Sequence, residues 1–367
     1  MSNAKTALHD ILEMAVNAGA SDIHVKEFSA VAVRIDGKIV YSDFVATTEF
    51  IHSFIDQLVS DKQRRILEET GDLDLSHREE GVGRFRVNIH RQRTYTSIAL
   101  RYVKNDIRSF KELGLPEALK QISSTHRGIV IVTGTTGSGK STTLAAMLDQ
   151  INDTRTDHVI TIEDPIEYEF LDKKSFFEQR EVGIDTESFQ SALKHAMRQD
   201  PDVIMVGEMR DRVSFEAALQ ASDTGHLVLT TLHASNAAQT INRILDLFEK
   251  NEQEPIREAL AINLIAVISQ RLCPRANGNG RVPICEILLN TPIVTKLIQE
   301  DRLDRLPAAI AAGKGDGMMT FNQCLLDHID RGIITEEDAF KNSDNPEQLK
   351  MNLEGIFLNA GDNTIIG

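Results

Sequence analysis

Gly128-Ile129-Val130-Ile131-Val132-Thr133-Gly134-Thr135-Thr136-Gly137-Ser138-Gly139-Lys140-Ser141-Thr142-Thr143 decides how the rest of the chain is read. The four β-branched residues at 129–132 predict a short buried strand, 134–139 a loop without bulky side chains, and 141–148 a helix. Strand, glycine loop and helix in that order is the pattern of a phosphate-binding P-loop. Such a loop turns several backbone N–H groups and the positive end of a helix toward one point, where a triphosphate replaces water. On this reading Thr135, Thr136, Gly137, Ser138, Gly139, Lys140, Ser141 and Thr142 hold ATP. Lys140 reaches its β and γ phosphates and the Ser141 hydroxyl binds Mg²⁺. The alternative is a plain glycine turn between a strand and a helix.

The length of 367 residues exceeds the usual single-domain size, so two domains are expected. A net charge of −15 argues against whole-surface attraction to nucleic acid or anionic lipid and leaves room only for a local basic patch. The three cysteines, Cys273, Cys285 and Cys324, are too widely spaced for a disulfide framework or a CxxC zinc module, which favours a reducing cytoplasmic compartment. The longest apolar stretch, 259–268, is interrupted by Asn263 and is shorter than the roughly 18 residues that span a bilayer. Residues 1–10 are polar, so no signal peptide is expected.

Leu8, Ile11, Leu12, Ala15 and Val16 recur with helical spacing up to Gly19. Short strands are expected at 20–26 and 31–40, the second broken by an Asp36-Gly37 hairpin turn, followed by a helical stretch over 48–69. In 83–90, Phe85, Val87 and Ile89 alternate with Arg84, Arg86, Asn88 and His90, as in a half-exposed strand, and a further strand at 98–103 carries Arg101. Residues 1–105 therefore read as a small α+β domain on an antiparallel sheet. The polar segment 106–116 reads as a hinge. From 117 to 290 apolar strands at 129–132, 158–162, 203–206 and 227–232 alternate with helical stripes, which predicts a mostly parallel sheet covered by helices. Residues 291–367 read as a helical C-terminal subdomain with polar turns such as 313–317.

In such a sheet the ligand lies at the carboxyl ends of the strands. Glu163 ends one strand and is the candidate for the Mg²⁺ and water shell, against the alternative of a cap before Pro165. Glu208 follows the apolar run 203–206 and Gly207, where it can take a proton from the attacking water. The alternative is a surface glutamate at a strand end. Gly207 stands where many P-loop proteins carry the metal-binding Asp, which leaves Ser141, phosphate oxygens and Glu163 for the metal. His226 and His233 bracket the strand at 227–232, an arrangement suited to sensing a phosphate, although either alone reads equally as a structural histidine. Residues 81–105 contain no acidic side chain but carry Arg84, Arg86, Arg91, Arg93, Arg101 and Lys104. These are read as a solvated strand face, as arginine fingers offered in trans to ATP, or as a nucleic-acid contact. The acidic balance and scarce aromatics make the last the weakest.

Together these segments resemble the secretion ATPases of the RecA-like superfamily, and within them the type IV pilus retraction ATPases of the PilT and PilU type. Ser21-Asp22-Ile23-His24, Arg84-Phe85-Arg86-Val87-Asn88 and Thr161-Ile162-Glu163-Asp164-Pro165-Ile166-Glu167 resemble the domain entry, arginine strand and Asp box of that family. Residues 200–211 and 224–233 resemble its Walker B and His boxes. The resemblance implies a PAS-like N-terminal domain, a RecA-like P-loop ATPase domain and C-terminal helices. It also implies a cytoplasmic homo-hexamer at the inner face of the cell membrane, working on an inner-membrane pilus platform protein, with a paralogous retraction ATPase as a further partner. By that resemblance Lys140, Glu208 and His233 act within one site, and Arg84, Arg86 and Arg101 act on a neighbour's. Lack of a four-cysteine module, which pilus extension and type II secretion ATPases usually carry, favours the retraction branch, with a pilus-extension or secretion ATPase as the alternative. The retraction branch's Ala-Ile-Arg-Asn-Leu-Ile-Arg-Glu segment reads here Ile293-Val294-Thr295-Lys296-Leu297-Ile298-Gln299-Glu300, without either arginine, so an accessory role stays open.

Overall fold

The computed structural model describes residues 2–35, 37–103 and 106–356, which fall into two compact units. The first unit holds Met1–Asp106 together with Glu167–Glu169. Its strands are β1 (Asp22–Lys26), β2 (Ser29–Ile35), β3 (Lys38–Ala46), β4 (Asp72–Glu79), β5 (Gly83–Gln92) and β6 (Tyr95–Val103). They form one antiparallel sheet in the order β3-β2-β1-β6-β5-β4. The alternation in β5 is realised: Phe85, Val87 and Ile89 are buried against Ile23, Leu73 and Leu100, under helices that contribute Leu12, Ile51 and Phe54. Ile35 pairs with Lys38, so the β2–β3 turn has two residues, of which Gly37 has φ +78° and Asp36 lies outside the described residues.

The single helical stretch expected over 48–69 is two helices, Thr48–Leu58 and Asp61–Thr70. Ser60 separates them: its hydroxyl caps the Gln63 N–H while the Gln63 side chain accepts from the Ser60 N–H at 3.0 Å. Such a reciprocal cap starts a new helix. Within 106–116 a one-turn helix, Phe110–Leu113, buries Phe110.

The second unit, Ile107–Ile166 and the chain from Phe170 onward, is built on a seven-stranded sheet. Its strands are β7 (Gly128–Thr133), β8 (His158–Glu163), β9 (Phe176–Glu181), β10 (Val203–Val206), β11 (Leu227–Leu232), β12 (Leu264–Pro274) and β13 (Arg281–Leu289). The order is β13-β12-β7-β11-β10-β8-β9, with every neighbouring pair parallel except the β12–β13 hairpin. Every residue of β7, β10 and β11 is buried, which is why these strands read as largely apolar runs instead of alternating ones, with Thr133, Thr230 and Thr231 as the buried polar residues. Helices Lys140–Thr154, Phe189–Ala196, Arg212–Asp223, Ala237–Leu245 and Gln253–Asn263 connect them.

The apolar stretch 259–268 is divided by structure: helix Gln253–Asn263 ends and β12 begins at the next residue. Asn263 makes that junction. Its amide donates to Asp223 Oδ1 at 2.6 Å and to the Ala259 carbonyl at 3.0 Å, and accepts from Ser222 at 2.8 Å. A Cβ on Gly128 would lie 2.9 Å from the Asn263 carbonyl, so β7 starts with glycine, at φ +112°.

Helices Phe321–Asp330, Glu336–Asn342 and Pro346–Leu353 pack Phe321, Leu325, Ala339 and Leu349 onto β12 and β13 in a separate small core. Arg271 of β12 fastens them, with its guanidinium 4.1 Å from the Phe321 ring centroid, 2.6 Å from Asp344 Oδ1 and 2.7 Å from the Asn342 carbonyl. The turn expected at 313–317 contains a 3₁₀ segment, Gly313–Asp316. The three cysteines are buried and form no disulfide, and the Cys285 N–H donates to Cys324 Sγ at 3.4 Å.

Glu286 of β13 is 7% exposed and accepts the Ala237 N–H at 2.8 Å and the Ser269 hydroxyl at 3.3 Å. Burial, reinforced by Asp344, raises its pKa in spite of those hydrogen bonds and Arg271. A group raised above its unfolded value contributes stability below that unfolded pKa and loses it as pH rises through the folded one. Glu286→Gln keeps the accepting oxygen and cannot ionise. It is expected to melt close to wild type at pH 5 and above it at pH 8 in thermal denaturation; equal or lower melting at pH 8 would contradict this.

Candidate active site

The ends of β7, β8, β10 and β11 lie side by side. Thr133 is in register with Leu232, Val206 with Thr230, and Val206 also with Ile162. The residues that follow, Gly134, His233, Gly207-Glu208 and Glu163, therefore share one sheet edge. Two threonines set that edge. The Thr231 hydroxyl donates to the Gly207 carbonyl at 2.6 Å, which fixes the turn into Glu208. The buried Thr133 hydroxyl donates to the Ala234 carbonyl at 3.1 Å and accepts the Ala234 N–H at 2.9 Å, which fixes the turn after His233.

The P-loop runs from the end of β7 into helix Lys140–Thr154, with Gly134, Gly137 and Gly139 at φ +150°, +77° and +91°. Side chains are excluded at two of these for packing as well: a Cβ on Gly134 would meet the Gln270 carbonyl at 2.4 Å, and one on Gly139 the Gln270 amide nitrogen at 2.8 Å. Lys140 Nζ bonds the Gly134 and Thr135 carbonyls at 2.9 and 3.1 Å. Burial lowers its pKa, partly offset by Glu208. Ser138 Oγ is buried without a hydrogen-bond partner, while Thr135, Thr136 and Ser141 are exposed. A glycine loop at the start of a helix, with a buried hydroxyl that lacks a partner, an exposed hydroxyl and a lysine held by its own loop, suits an anionic phosphate.

Glu208 is half-buried between two bases, with Oε2 2.7 Å from Arg210 Nη2 and Oε1 3.3 Å from His233 Nε2. Burial pushes its pKa up, but the hydrogen bond from Arg210 and the charges of His233, Arg210 and Lys140 hold it below the ordinary glutamate value. The group is a carboxylate at neutral pH, as proton acceptance requires. Glu163, 6% exposed, ends β8 and does not cap a helix; it accepts from the Thr161 hydroxyl at 2.7 Å and the Gln179 amide at 3.2 Å. Both hold it at the shared edge, beside Gly207.

A protein-family description, type II/IV secretion system protein, matches residues 2–305. The chain belongs to this secretion ATPase family. It is 41% identical over 339 residues to the type IV pilus retraction ATPase PilT of Pseudomonas aeruginosa, covering 92% of this chain and 98% of PilT. It is 37% identical over 342 residues to the type IV pilus ATPase PilU of the same organism, covering 93% and 90%. A crystal structure of the pilus retraction motor PilT with bound ADP is similar with a TM-score of 0.86 at 46% identity, over 93% of this chain and 98% of that one. The secretion ATPase thus has the two-unit PilT-like fold expected from its motifs, with an antiparallel α+β sheet followed by a mostly parallel sheet.

One candidate histidine lies away from this sheet edge. His226 precedes β11 and bonds the Ala221 carbonyl at 2.8 Å and Thr224 Oγ1 at 3.0 Å, at the opposite end of the strand from His233; it is a structural residue. Arg84, Arg86 and Arg101 belong to the first unit. Arg86 lies directly across from Arg101, a like-charged pair that acidic partners offset. Arg101 Nε is 2.7 Å from Asp22, Arg86 Nη2 is 3.1 Å from Glu167 of the same unit, and Arg84 Nε donates to Ser76 at 2.8 Å. Lys104 lies outside the described residues. Arg210, two positions after Glu208 on the same turn, lies within the Walker B-like segment 200–211 but received no role from sequence; nor did Gln270, in the segment Ser269-Gln270-Arg271-Leu272 that also resembles the family, whose contacts come from a strand that was not assigned.

Proposed function

We propose that this secretion ATPase hydrolyses Mg²⁺-bound ATP and uses the energy to retract a type IV pilus, as a ring of six copies at the inner face of the cell membrane. The observation that carries the catalytic part is the convergence of the P-loop, Glu208 and His233 at one sheet edge. Likeness to PilT along nearly its whole length supports retraction as the work done. No helix among the described residues is long and apolar enough to cross a membrane, so the motor would act through an inner-membrane platform protein.

In this reading Lys140 exchanges the Gly134 and Thr135 carbonyls for β and γ phosphate oxygens. The Ser141 hydroxyl would hold Mg²⁺, and Glu163, steadied by Thr161 and Gln179, would order its water shell. Mg²⁺, when bound, neutralises charge on the phosphates. Glu208 takes a proton from the attacking water, with His233 Nε2 3.3 Å away to orient the carboxylate and report the phosphate's presence. Arg84, Arg86 and Arg101 complete the site of the neighbouring copy, a contribution on the order of 10³ to 10⁵ in rate for an arginine finger.

A second reading, an accessory subunit that works beside an active paralogue, is favoured by the PilU likeness and by Thr295 and Gln299. Thr295 here bonds Asn290 Oδ1 at 3.0 Å, a local structural contact. Twitching of the source organism separates the readings. Retraction lost on deletion and not restored by a Glu208→Gln allele supports the motor. Restoration by that allele supports the accessory subunit, and twitching unaffected by deletion contradicts both.

A further inference from the structure

Gln270 lies on β12 one residue beyond the Ser269–Thr133 pairing with β7, level with the first glycine of the P-loop, and is 3% exposed. Its side chain makes two short hydrogen bonds to different parts of the phosphate-binding segment. Nε2 donates to the Ser138 carbonyl at 2.7 Å, and Oε1 accepts from the Thr143 hydroxyl at 2.7 Å. Because a carbonyl only accepts, the amide has one orientation that satisfies both partners. Thr143 is in the first turn of helix Lys140–Thr154, where its N–H bonds the Gly139 carbonyl at 3.0 Å. One buried amide therefore ties the last turn of the loop to the first turn of the helix.

The consequence lies in the Ser138–Gly139 peptide. In a trans peptide C=O and N–H point in opposite directions, so holding the Ser138 carbonyl against Gln270 directs the Gly139 N–H away from β12. That N–H belongs to the group of donors a P-loop offers to phosphate. Gln270 also accounts for the absent side chain at Gly139, whose Cβ would stand 2.8 Å from Nε2.

We infer that Gln270 is a positioning residue of the phosphate site: without touching nucleotide, it sets the orientation of the Ser138–Gly139 peptide and through it nucleotide affinity. This rests on the nucleotide-binding reading above. The test is calorimetric titration of the full chain with ADP, alongside melting of the nucleotide-free protein. Gln270→Met, similar in length but unable to donate, is expected to weaken ADP binding by about 10- to 100-fold with melting within a few degrees of wild type. Gln270→Glu supplies the missing donor only when protonated, so its affinity is expected to recover between pH 8 and pH 6 relative to wild type.

Methionine-variant affinity within about twofold of wild type would overturn the inference. So would a loss that tracks lowered melting without pH-dependent recovery in Gln270→Glu. Should the methionine variant not fold, Thr143→Val removes one of the two bonds. A loss of about threefold or more then supports the contact, and unchanged affinity refutes it. Wild type that binds no ADP refutes the nucleotide reading itself and this inference with it, a result distinct from tight wild-type binding with unchanged variants.

Discussion

Glu208→Gln is expected to bind ATP within a few-fold of wild type and to lose turnover by about 10² to 10⁴, or ~3 to 5 kcal/mol of barrier. The side chain keeps its size, so the contacts that position it persist in part, but an amide cannot take a proton from water. The lowered pKa sharpens this expectation. Arg210, His233 and Lys140 hold Glu208 ionised, and no pH near neutrality finds it protonated in wild type. Binding is read by nucleotide titration and turnover by phosphate release. A variant with half of wild-type turnover would remove Glu208 from the reaction.

Lys140→Ala is expected to fail earlier, at binding, with affinity for ATP reduced on the order of 10²-fold or more and turnover lost with it. Its ammonium is the basic side chain that the loop itself carries, and it rests on two loop carbonyls that a phosphate would replace. Losing those two bonds costs stability by about 1 to 3 kcal/mol at most, since the group is only half-buried. The folded protein should thus survive, as melting would show. Nucleotide titration that gives wild-type affinity would mean that the loop does not bind phosphate in the way proposed.

The elements that position the site were legible because their residues leave little choice. β7, β10 and β11 are buried on both faces, so each is apolar over three or more consecutive residues, and glycines mark the loop between β7 and its helix. What stayed hidden has physical reasons. Helix Gln253–Asn263 passes into β12 without a glycine or proline, because the Asn263 side chain supplies the junction's hydrogen bonds itself. Local pattern cannot show such a boundary, so the strand that carries Gln270 was not assigned. β4 offers only Leu73 and Leu75 as buried apolar positions at a sheet edge, too short an alternation to stand out. His226 and His233 look equivalent in sequence, six residues of β11 apart; only the parallel sheet's polarity sends one to the site and the other away from it.

Phosphate release per subunit, measured with Mg²⁺-ATP across a range of protein concentrations and set against Glu208→Gln as the blank, tests the account most directly. Specific activity is predicted to rise with concentration and then saturate, as copies assemble and each receives arginines from its neighbour. Turnover that is measurable and flat across concentrations at which light scattering shows dissociation, or no turnover at any concentration, would contradict it.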